Sequence, residues 1–450
     1  MKKTAFTFAV LVFLSLCLII SASAIIGGTA TDVFFTQENV VGDPASAEGF
    51  SVQSLFTLDG HAHWDTTLTL GKNPAWNTDF SYTTFSRGTS NPIEPYVDLS
   101  AVTDFSIHSY ITLDLSEIPG LLPYASVLNK MAQEAPANAE AYTKTMALSD
   151  VMDNLPLCLN TYANTLRYPI PGGTSRDDNG FFTRYFHIPA EGYTVQLSVD
   201  TNASKELIGA AVTILDAPSI YVPGVITDDA LYLAFGAEKT ISESAPFGVY
   251  RIPFSNSDGS HIFVQEQAEL VLPMEGSFLY LCTMENESKL FVLNRSSDGG
   301  SQGTFIDTVS GQLLQSIQTP KTIYSEGILV QEDYIALLSG WDAEDYPDPQ
   351  AVIVWAKGED GQYHQTVDAD FSQASFYHAW PYAVLYDHAT GRLLFTAYTS
   401  RTAPSLQIAV CQGDKMTYGA TFRSSQDRLR EAILFQSVEE IPRLYLAQSQ

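Results

Sequence analysis

The stretch "IDTVSGQLL" at residues 306–314 has a near-copy later in the chain, "YDHATGRLL" at 386–394. Both stretches contain Asp, two spacers, Ser or Thr followed by Gly, a polar residue and Leu-Leu. The Ser310-Gly311 and Thr390-Gly391 pairs are turn signals. The two glycines are 80 residues apart, 391 minus 311. We interpret this spacing as two repeats of about 40 residues, the length of a four-stranded propeller blade.

The chain after about residue 190 is a series of short apolar or alternating runs. The predicted strands, all rich in Val, Ile, Tyr and Phe, are 230–236, 248–254, 277–284, 289–295, 334–340, 351–358, 382–387, 392–399 and 443–448. One repeat is predicted to consist of strands 277–284, 289–295, 303–308 and 312–318. Many short strands separated by turns predict a sandwich, a barrel or a propeller.

This repeat resembles the blades of PQQ- and WD-type propellers, whose late hairpin often reads Asp-x-x-Thr-Gly-x-Leu. The resemblance implies an all-β fold, a propeller of about six to eight blades, with a β-sandwich as the alternative. The chain also resembles exported bacterial proteins of unassigned function. They share an N-terminal hydrophobic segment, a strand like "HWDTTLTLG" (63–71) and a strand like "GVYRIPF" (248–254). That resemblance implies an envelope location and no mechanism.

Residues 27–190 have a different pattern from the rest. Strands are predicted near 33–37, 50–58, 62–70 and 78–85, followed by one helix at 119–133 with Leu121, Ala125, Leu128 and Met131 on one apolar face. Residues 135–156 fit either helix or strand. We therefore predict a β-rich N-terminal region over 27–190 and a propeller-like domain over 191–450. Part of the N-terminal region is expected to add a strand to the last blade.

The first residues, "MKKTAFTFAVLVFLSLCLIISASA", predict export. Two lysines precede an apolar run and a small-residue cleavage site ending at Ala24, which is the pattern of a signal peptide. Counted through Ile26, the run is also long enough for a single membrane span with the lysines inside. Residues 1–26 are therefore predicted to be either a signal peptide or an anchor. The protein is expected to be secreted or held at the outer face of the cytoplasmic membrane.

The charge of the chain limits its partners. The formal net charge is −28, with 23 basic and 51 acidic residues. Such a surface repels nucleic acid and favours a neutral or cationic partner. Cys17, Cys158, Cys282 and Cys411 contain no C-x-x-C spacing, which excludes a zinc framework or a disulfide-dense scaffold. Buried free thiols are predicted, with one disulfide as the alternative.

The stretch "LDGHAHWDTTLTLG" at 58–71 resembles the Asp-x-His-x-His run of amidohydrolase metal sites. Its flanks predict a hairpin instead, with a three-residue loop (59–61) that sets residue 58 opposite 62 and keeps apolar residues on one face. In that register His63 and Asp65 lie on the solvent face of a strand. The alternating strands and helices of an amidohydrolase barrel are also missing from the pattern. We therefore predict no metal and no cofactor.

No catalytic set can be identified, since S-x-x-K, H-E-x-x-H and P-loop patterns are all lacking. "NRSSDGGSQGTF" (294–305) resembles a sialidase Asp-box, which is a structural turn. The acidic loop "WDAEDYPDP" (341–349) and the aromatic stretch "SFYHAWPYAVLYD" (375–387) are the candidate binding segments. Solvated acids and aromatics packed between blades are the alternative interpretations. His187, His261, His364 and His388 are predicted to be isolated and structural.

The sequence as a whole predicts an exported, non-catalytic binding or sensory protein whose partner is an envelope protein or glycan. The alternative is a glycan-active or other hydrolytic propeller. The candidate binding residues are Trp341, Asp342, Asp345, Tyr377, His378 and Trp380. Aromatic side chains of this kind supply most of the energy of many interfaces.

Overall fold

The computed structural model divides the chain into two compact units, residues 1–92 with 326–450, and residues 93–325. The boundary predicted near residue 190 lies inside the second unit. The residues that the structure describes are 13–21, 35–58, 62–82, 97–101, 104–118, 121–161, 182–215, 221–236, 246–255, 262–296, 299–339, 350–371, 382–398, 405–424, 436–438 and 443–446.

Strands dominate the described residues. The first four are β1 Phe35–Gly42, β2 Phe50–Leu58, β3 Ala62–Thr69 and β4 Ala75–Tyr82. The next fifteen are β5 Val97–Ala101, β6 Asp104–His108, β7 Tyr142–Ala147, β8 Leu157–Thr161, β9 Thr194–Thr201, β10 Leu207–Leu215, β11 Tyr221–Ile226, β12 Ala230–Phe235, β13 Gly248–Ser255, β14 Ile262–Phe263, β15 Glu269–Pro273, β16 Ser277–Met284, β17 Lys289–Arg295, β18 Ser301–Asp307 and β19 Leu313–Thr319. The last ten are β20 Ile323–Val330, β21 Tyr334–Ser339, β22 Ala351–Lys357, β23 Tyr363–Asp370, β24 Tyr382–Asp387, β25 Arg392–Tyr398, β26 Ser405–Gln412, β27 Lys415–Ser424, β28 Gln436–Val438 and β29 Arg443–Leu446.

Helices are few and short. The helix α1 spans Ala125–Glu134, and further helical residues lie at 13–21 and 182–186. The 3-10 turns are Pro44–Ala47, Leu115–Glu117, Leu122–Tyr124, Leu148–Asp150 and Gln265–Gln267. In the described part of the chain, none of the helices has the length and hydrophobicity needed to cross a membrane.

The strands form antiparallel sheets of the propeller-blade type. β16–β19 and β20–β23 each make a four-stranded sheet in which consecutive strands are neighbours. β24–β27 are also neighbours in chain order, in a five-stranded sheet whose fifth strand is β1. The repeat predicted over 277–318 is confirmed strand by strand, because β16–β19 pair in chain order. The all-β prediction is therefore confirmed. The number of blades stays a prediction.

The two similar stretches, 306–314 and 386–394, are the same kind of turn. Gly311 and Gly391 have φ of 68° and 67°, and their N–H groups donate to Asp307 O and Asp387 O at 2.9 and 2.8 Å. The first turn joins the third and fourth strands of its sheet, whereas the second joins the first and second strands. The repeat spacing was therefore wrong: these glycines mark similar turns at different places in two blades.

Both ends of the chain contribute to sheets of the first unit. β1 pairs antiparallel with β27, which confirms the strand expected from the N-terminal region. Gln37 Nε2 donates to Tyr418 Oη at 2.8 Å across this pair. The C-terminal strands β28 and β29 pair in turn with β2.

The hairpin of β2 and β3 has the predicted register. Residue 58 lies opposite 62, 56 opposite 64 and 52 opposite 68. Val52, Trp64 and Leu68 are buried in one core cluster of the first unit. The pairing of residue 58 with 62 confirms that three residues connect the two strands. Those residues, 59–61, lie outside the described part of the chain.

The core of the second unit contains the predicted helix. Leu121, Leu128 and Met131 are buried, and α1 packs against β9 and β10. Within the ambiguous stretch 135–156 the structure has the strand β7, whose burial alternates along Tyr142–Ala147. β7 pairs with β9 in the four-stranded sheet β6-β10-β9-β7.

Candidate ligand-binding cavity

A cavity of about 640 Å³ lies in the second unit, beside β15 and one face of the sheet β16–β19. Its volume is in the usual range of small-molecule sites, about 300–1,000 Å³. The lining residues are Phe247, Leu272, Pro273, Met274, Glu275, Gly276, Asn294, Ser296, Gln302, Thr304, Leu313 and Ser316.

The polar wall of the cavity continues an apolar sheet face. Leu290, Val292 and Asn294 are alternate residues of β17, so their side chains project on the same face. Leu290 and Val292 are fully buried against strands β12 and β13. Asn294 lies opposite Gln302 of β18 where this face reaches the cavity. The face therefore changes from core to cavity wall within three alternate positions.

Two oxygen atoms of this wall lack a partner within the described residues. Asn294 is 3% exposed, and its Nδ2 donates to Glu275 O at 2.9 Å. The Asn294 Oδ1 and the Thr304 Oγ1 are buried without a hydrogen bond. Leaving a buried polar group unsatisfied costs about 1–3 kcal/mol, so native proteins almost always supply a partner. Water or a ligand in the cavity is able to supply the missing donors.

A glycine keeps the rim of the cavity close to this wall. Gly276 has φ of 101°, and an added Cβ would lie 2.2 Å from Arg295 O. A larger residue would push the chain away from β17 and break the bond between Asn294 and Glu275 O. The opposite lining is apolar, with Phe247, Leu272 and Met274, and Met274 N donates to Phe247 O at 3.0 Å.

Among the described lining residues the single titratable group is Glu275, and no His, Cys, Lys or Arg is present. Acid–base hydrolysis needs two positioned proton-transfer groups, or a nucleophile with its base. The described wall can therefore bind through hydrogen bonds but lacks a recognisable catalytic pair.

Elsewhere in the second unit Arg251 forms ion pairs with Asp229 (2.8 Å) and Glu269 (3.8 Å). Burial raises the pKa of Asp229, but hydrogen bonds from the Thr227 hydroxyl and the Arg251 guanidinium outweigh burial and hold the pKa below its usual range. Asp229 is thus ionised at neutral pH and cannot act as a general acid. This cluster is a surface ion-pair network.

A histidine–carboxylate pair lies on the sheet β6-β10-β9-β7. His108 Nδ1 lies 3.0 Å from Asp200 Oδ2, and Asp200 Oδ1 accepts from Ala141 N at 2.7 Å. The pair crosses over Gly209, where an added Cβ would meet Asp200 Oδ2 at 2.2 Å. Ser106 and Ser198 line the same small depression. Sequence reasoning missed this pair because its members are 92 residues apart.

The six predicted binding residues cannot be placed. Trp341, Asp342, Asp345, Tyr377, His378 and Trp380 all lie outside the described residues. The same holds for His261 and for Asp59 and His61 of the opening of the hairpin. Their roles stay predictions.

His364 and His388 were predicted to be isolated, but each has a carboxylate partner. His364 Nε2 lies 3.0 Å from Asp360 Oδ2, and His388 Nε2 lies 3.0 Å from Asp333 Oδ2. Both pairs are exposed and contribute little to stability.

Three cysteines of the described residues differ in burial. Cys411 is fully buried, Cys282 is half-buried and Cys17 is exposed. Burial raises the pKa of the Cys411 thiol to about 12, which keeps it protonated and unreactive at neutral pH. The prediction of a buried free thiol is confirmed for Cys411.

The predicted position of His63 was wrong. Asp65 is exposed and accepts from Gln53 Nε2 at 2.7 and 2.9 Å, as expected for a solvent face. His63 is only 3% exposed, although it lies two residues away on that face. Alternation within a strand gives the face of a residue but not whether other segments cover that face. In the described residues no group of three or more His, Cys, Asp or Glu side chains is placed to hold a metal ion.

We expect purified protein to hold no stoichiometric zinc, and His63→Ala to release none, as measured by plasma mass spectrometry. Because His63 is buried, the substitution is expected to lower the free energy of unfolding by about 1–3 kcal/mol. Asp65→Ala is the exposed control, with an expected change of less than about 0.5 kcal/mol. Stoichiometric zinc that His63→Ala releases would contradict the hairpin interpretation.

Comparisons with known proteins do not assign the chain to a family. No family model matches it, and no curated protein does. A eukaryotic initiation factor structure matches at 10% identity and a TM-score of 0.26; the match covers 51% of this chain and only about half, 52%, of that one. A candidate 6-phosphogluconolactonase of Bacteroides fragilis matches at 10% identity and 0.29, covering 82% and 97%. The periplasmic gluconolactonase PpgL of Pseudomonas aeruginosa matches at 9% and 0.20, covering 63% and 99%. At such values the likenesses support no conclusion about function.

Proposed function

We propose that the chain is an exported, non-catalytic binding protein of the cell envelope, whose partner is an envelope protein or glycan. The observation that carries the proposal is the cavity beside β15 and β17–β19. Its wall has buried polar atoms that lack partners in the described chain, and its described lining has no acid–base pair. Such a site is suited to binding without turnover.

The N-terminal segment supports export. Lys2 and Lys3 precede the apolar run, and the helical residues 13–21 within it leave Phe13, Leu18 and Ile19 more than half exposed. Exposed apolar side chains on a short helix fit a segment that the export machinery or a bilayer recognises. Mass spectrometry of the native protein distinguishes the two forms. An N-terminus at Ile25 indicates a cleaved signal peptide, and an intact Met1 indicates an anchor. Recovery from the cytosol would contradict export.

The six residues predicted in the segments 341–349 and 375–387 remain the proposed contact surface for a macromolecular partner. Trp341→Ala with Trp380→Ala is expected to abolish capture of a partner from an envelope extract while the melting temperature stays close to wild type. Trp76→Ala, which removes an exposed tryptophan of β4, is the matched control. If the double variant simply unfolds, the two residues are core and this surface is wrong.

A hydrolytic function is the second candidate, and the His108–Asp200 pair beside Ser106 and Ser198 is the observation that favours it. A carboxylate on Nδ1 is how many hydrolases orient a catalytic histidine. Incubation with glycan and peptide libraries tests this directly. Cleavage by wild type that His108→Ala abolishes would replace the binding proposal with an enzyme.

A further inference from the structure

We infer that the cavity beside β15 and β17–β19 binds a short neutral saccharide, an inference that rests on the proposed binding function. The inner wall presents one side-chain amide and one hydroxyl that are almost completely buried, Asn294 and Thr304. Gln302 and Ser316 continue this polar surface outward, where Gln302 Nε2 lies 3.4 Å from Ser316 Oγ. Amides and hydroxyls both donate and accept, as sugar hydroxyls do.

The charge of the lining favours a neutral ligand. The described lining has no cationic side chain, and Glu275, its one carboxylate, is exposed. An anionic group moved into this wall loses its hydration without gaining a counter-charge, which is costly. The net charge of −28 also repels polyanions at long range.

One side of the cavity is polar and the other is apolar, which matches the polar edge and the apolar faces of a sugar ring. The hydrogen-bonding side chains Asn294, Gln302 and Thr304 come from β17 and β18. Apolar side chains come from the segment around β15, with Phe247 and Leu272. A pyranose offers hydroxyls at its edge and C–H groups on its faces, so it can hydrogen-bond to one side and pack against the other.

The unpartnered oxygens are the strongest argument. Asn294 Oδ1 is buried without a hydrogen-bond donor. The amide cannot turn over to relieve this, because its Nδ2 is bonded to Glu275 O. Thr304 Oγ1, on the neighbouring strand, also lacks a partner in the described chain. One ligand with several hydroxyls could satisfy both.

The test uses the full chain and a panel of methyl glycosides of glucose, galactose and mannose, with N-acetylglucosamine and maltose. Glucuronate and glucosamine are the charged matches. Saturation-transfer NMR finds binders, and titration calorimetry measures their affinity. At least one neutral sugar is expected to bind, with the anionic glucuronate about tenfold weaker or more than its neutral match. If the panel shows no binding and a crystal structure shows only ordered water in the cavity, the inference is wrong.

Thr304→Val separates a ligand role from a structural one. It keeps the shape of the side chain and removes the hydroxyl, so the melting temperature is expected to stay equal or rise. Affinity for the sugar is expected to fall about three- to tenfold, the loss typical of one hydrogen bond. Gln302→Ala should weaken binding by a similar factor, whereas Gln350→Ala, an exposed residue outside the cavity, should have no effect. If neither Thr304→Val nor Gln302→Ala changes the affinity for the sugar, the sugar does not bind in this cavity and the inference is wrong.

The outcomes distinguish this inference from the proposed function. If short peptides but no sugars bind, and Thr304→Val weakens them, the saccharide is wrong and the binding function stands. If a sugar binds and is cleaved, the cavity assignment stands and the non-catalytic function fails.

Discussion

Replacing Arg392 with alanine is expected to lower the free energy of unfolding by about 3 kcal/mol. The guanidinium donates to Ser46 O at 2.8 Å and to Glu48 O at 2.9 Å, both in the segment between β1 and β2. It also lies 4.9 Å from the ring centre of Phe50. Arg392 therefore links the segment between β1 and β2 to strand β25. Urea denaturation followed by tryptophan fluorescence measures the loss.

Two variants test this explanation. Arg392→Lys keeps the charge, but lysine has a single nitrogen and cannot replace both Nη1, which donates to the two carbonyls, and Nε, which donates to Thr390 Oγ1 at 2.8 Å, so it is expected to recover less than half of the loss. Arg423→Ala removes an arginine of the same sheet whose ion pair with Glu38 is long, at 3.6 Å, and exposed, so about 0–1 kcal/mol is expected. Equal losses at the two arginines would contradict a special role for Arg392.

The penalty should also depend on pH through Asp387, whose Oδ2 lies 3.6 Å from Arg392. Burial raises the pKa of Asp387, but hydrogen bonds from the Thr390 hydroxyl and the Ala389 N–H, with the Arg392 charge, hold it below its usual range. A lowered folded-state pKa gives stability that is present at neutral pH and is lost as the pH falls through that pKa. The Arg392→Ala penalty is therefore expected to shrink in acid.

Phe186→Ala is expected to cost about 3–5 kcal/mol, the usual range for removing a buried aromatic ring. Phe186 is fully buried, and its ring stacks on Phe235 at 4.3 Å and meets Tyr250 edge-on at 5.2 Å. Removing it leaves a cavity between the helical residues 182–186 and strands β12 and β13. Chemical denaturation of the purified variant measures the loss.

Phe186→Leu is the matched control, since it refills part of the volume and should cost roughly half as much. Tyr110→Ala removes a fully exposed aromatic ring of the same unit and should change stability by less than about 0.5 kcal/mol. A Phe186→Ala loss below that of Tyr110→Ala would show that the aromatic cluster is not part of the stabilising core.

Local pattern was enough to predict most strands. The strand at Ser277–Met284 and the strand at Lys289–Arg295 lie where their apolar runs predicted them. The register of the hairpin also followed from local rules, because a shift by one residue would move Trp64 to the other face. These elements were predictable since their neighbours in space are their neighbours in sequence.

Features that depend on distant segments were not predictable in this way. His63 is buried although Asp65 on the same face is exposed, so covering segments decide its environment. The similar stretches around Gly311 and Gly391 did not give the repeat length, because the same type of turn can join any two consecutive strands of a blade. The short strand Tyr142–Ala147 needed its partner β9 to be recognised.

The cavity was missed for a related reason. Asn294 is one polar residue in the apolar run "KLFVLNR", and in a single strand it looks like an ordinary strand end. A usable signal did exist: Asn294 has the same parity as Leu290 and Val292, so its side chain had to share their face. That Asn294 lines a cavity could not be predicted, because the cavity is formed together with Gln302 and the chain around Gly276.

The pairing of β1 with β27 sets the order in which the chain can fold. Gln37 and Tyr418 are in contact across 381 positions of sequence. Closing so long a loop costs about 3 kcal/mol more in entropy than closing a hairpin of about ten residues. It also cannot begin until residues 415–424 have left the ribosome. β1 must therefore stay without its partner strand until β27 has been synthesised, and the pairing of the two strands is expected to be among the slowest steps of folding.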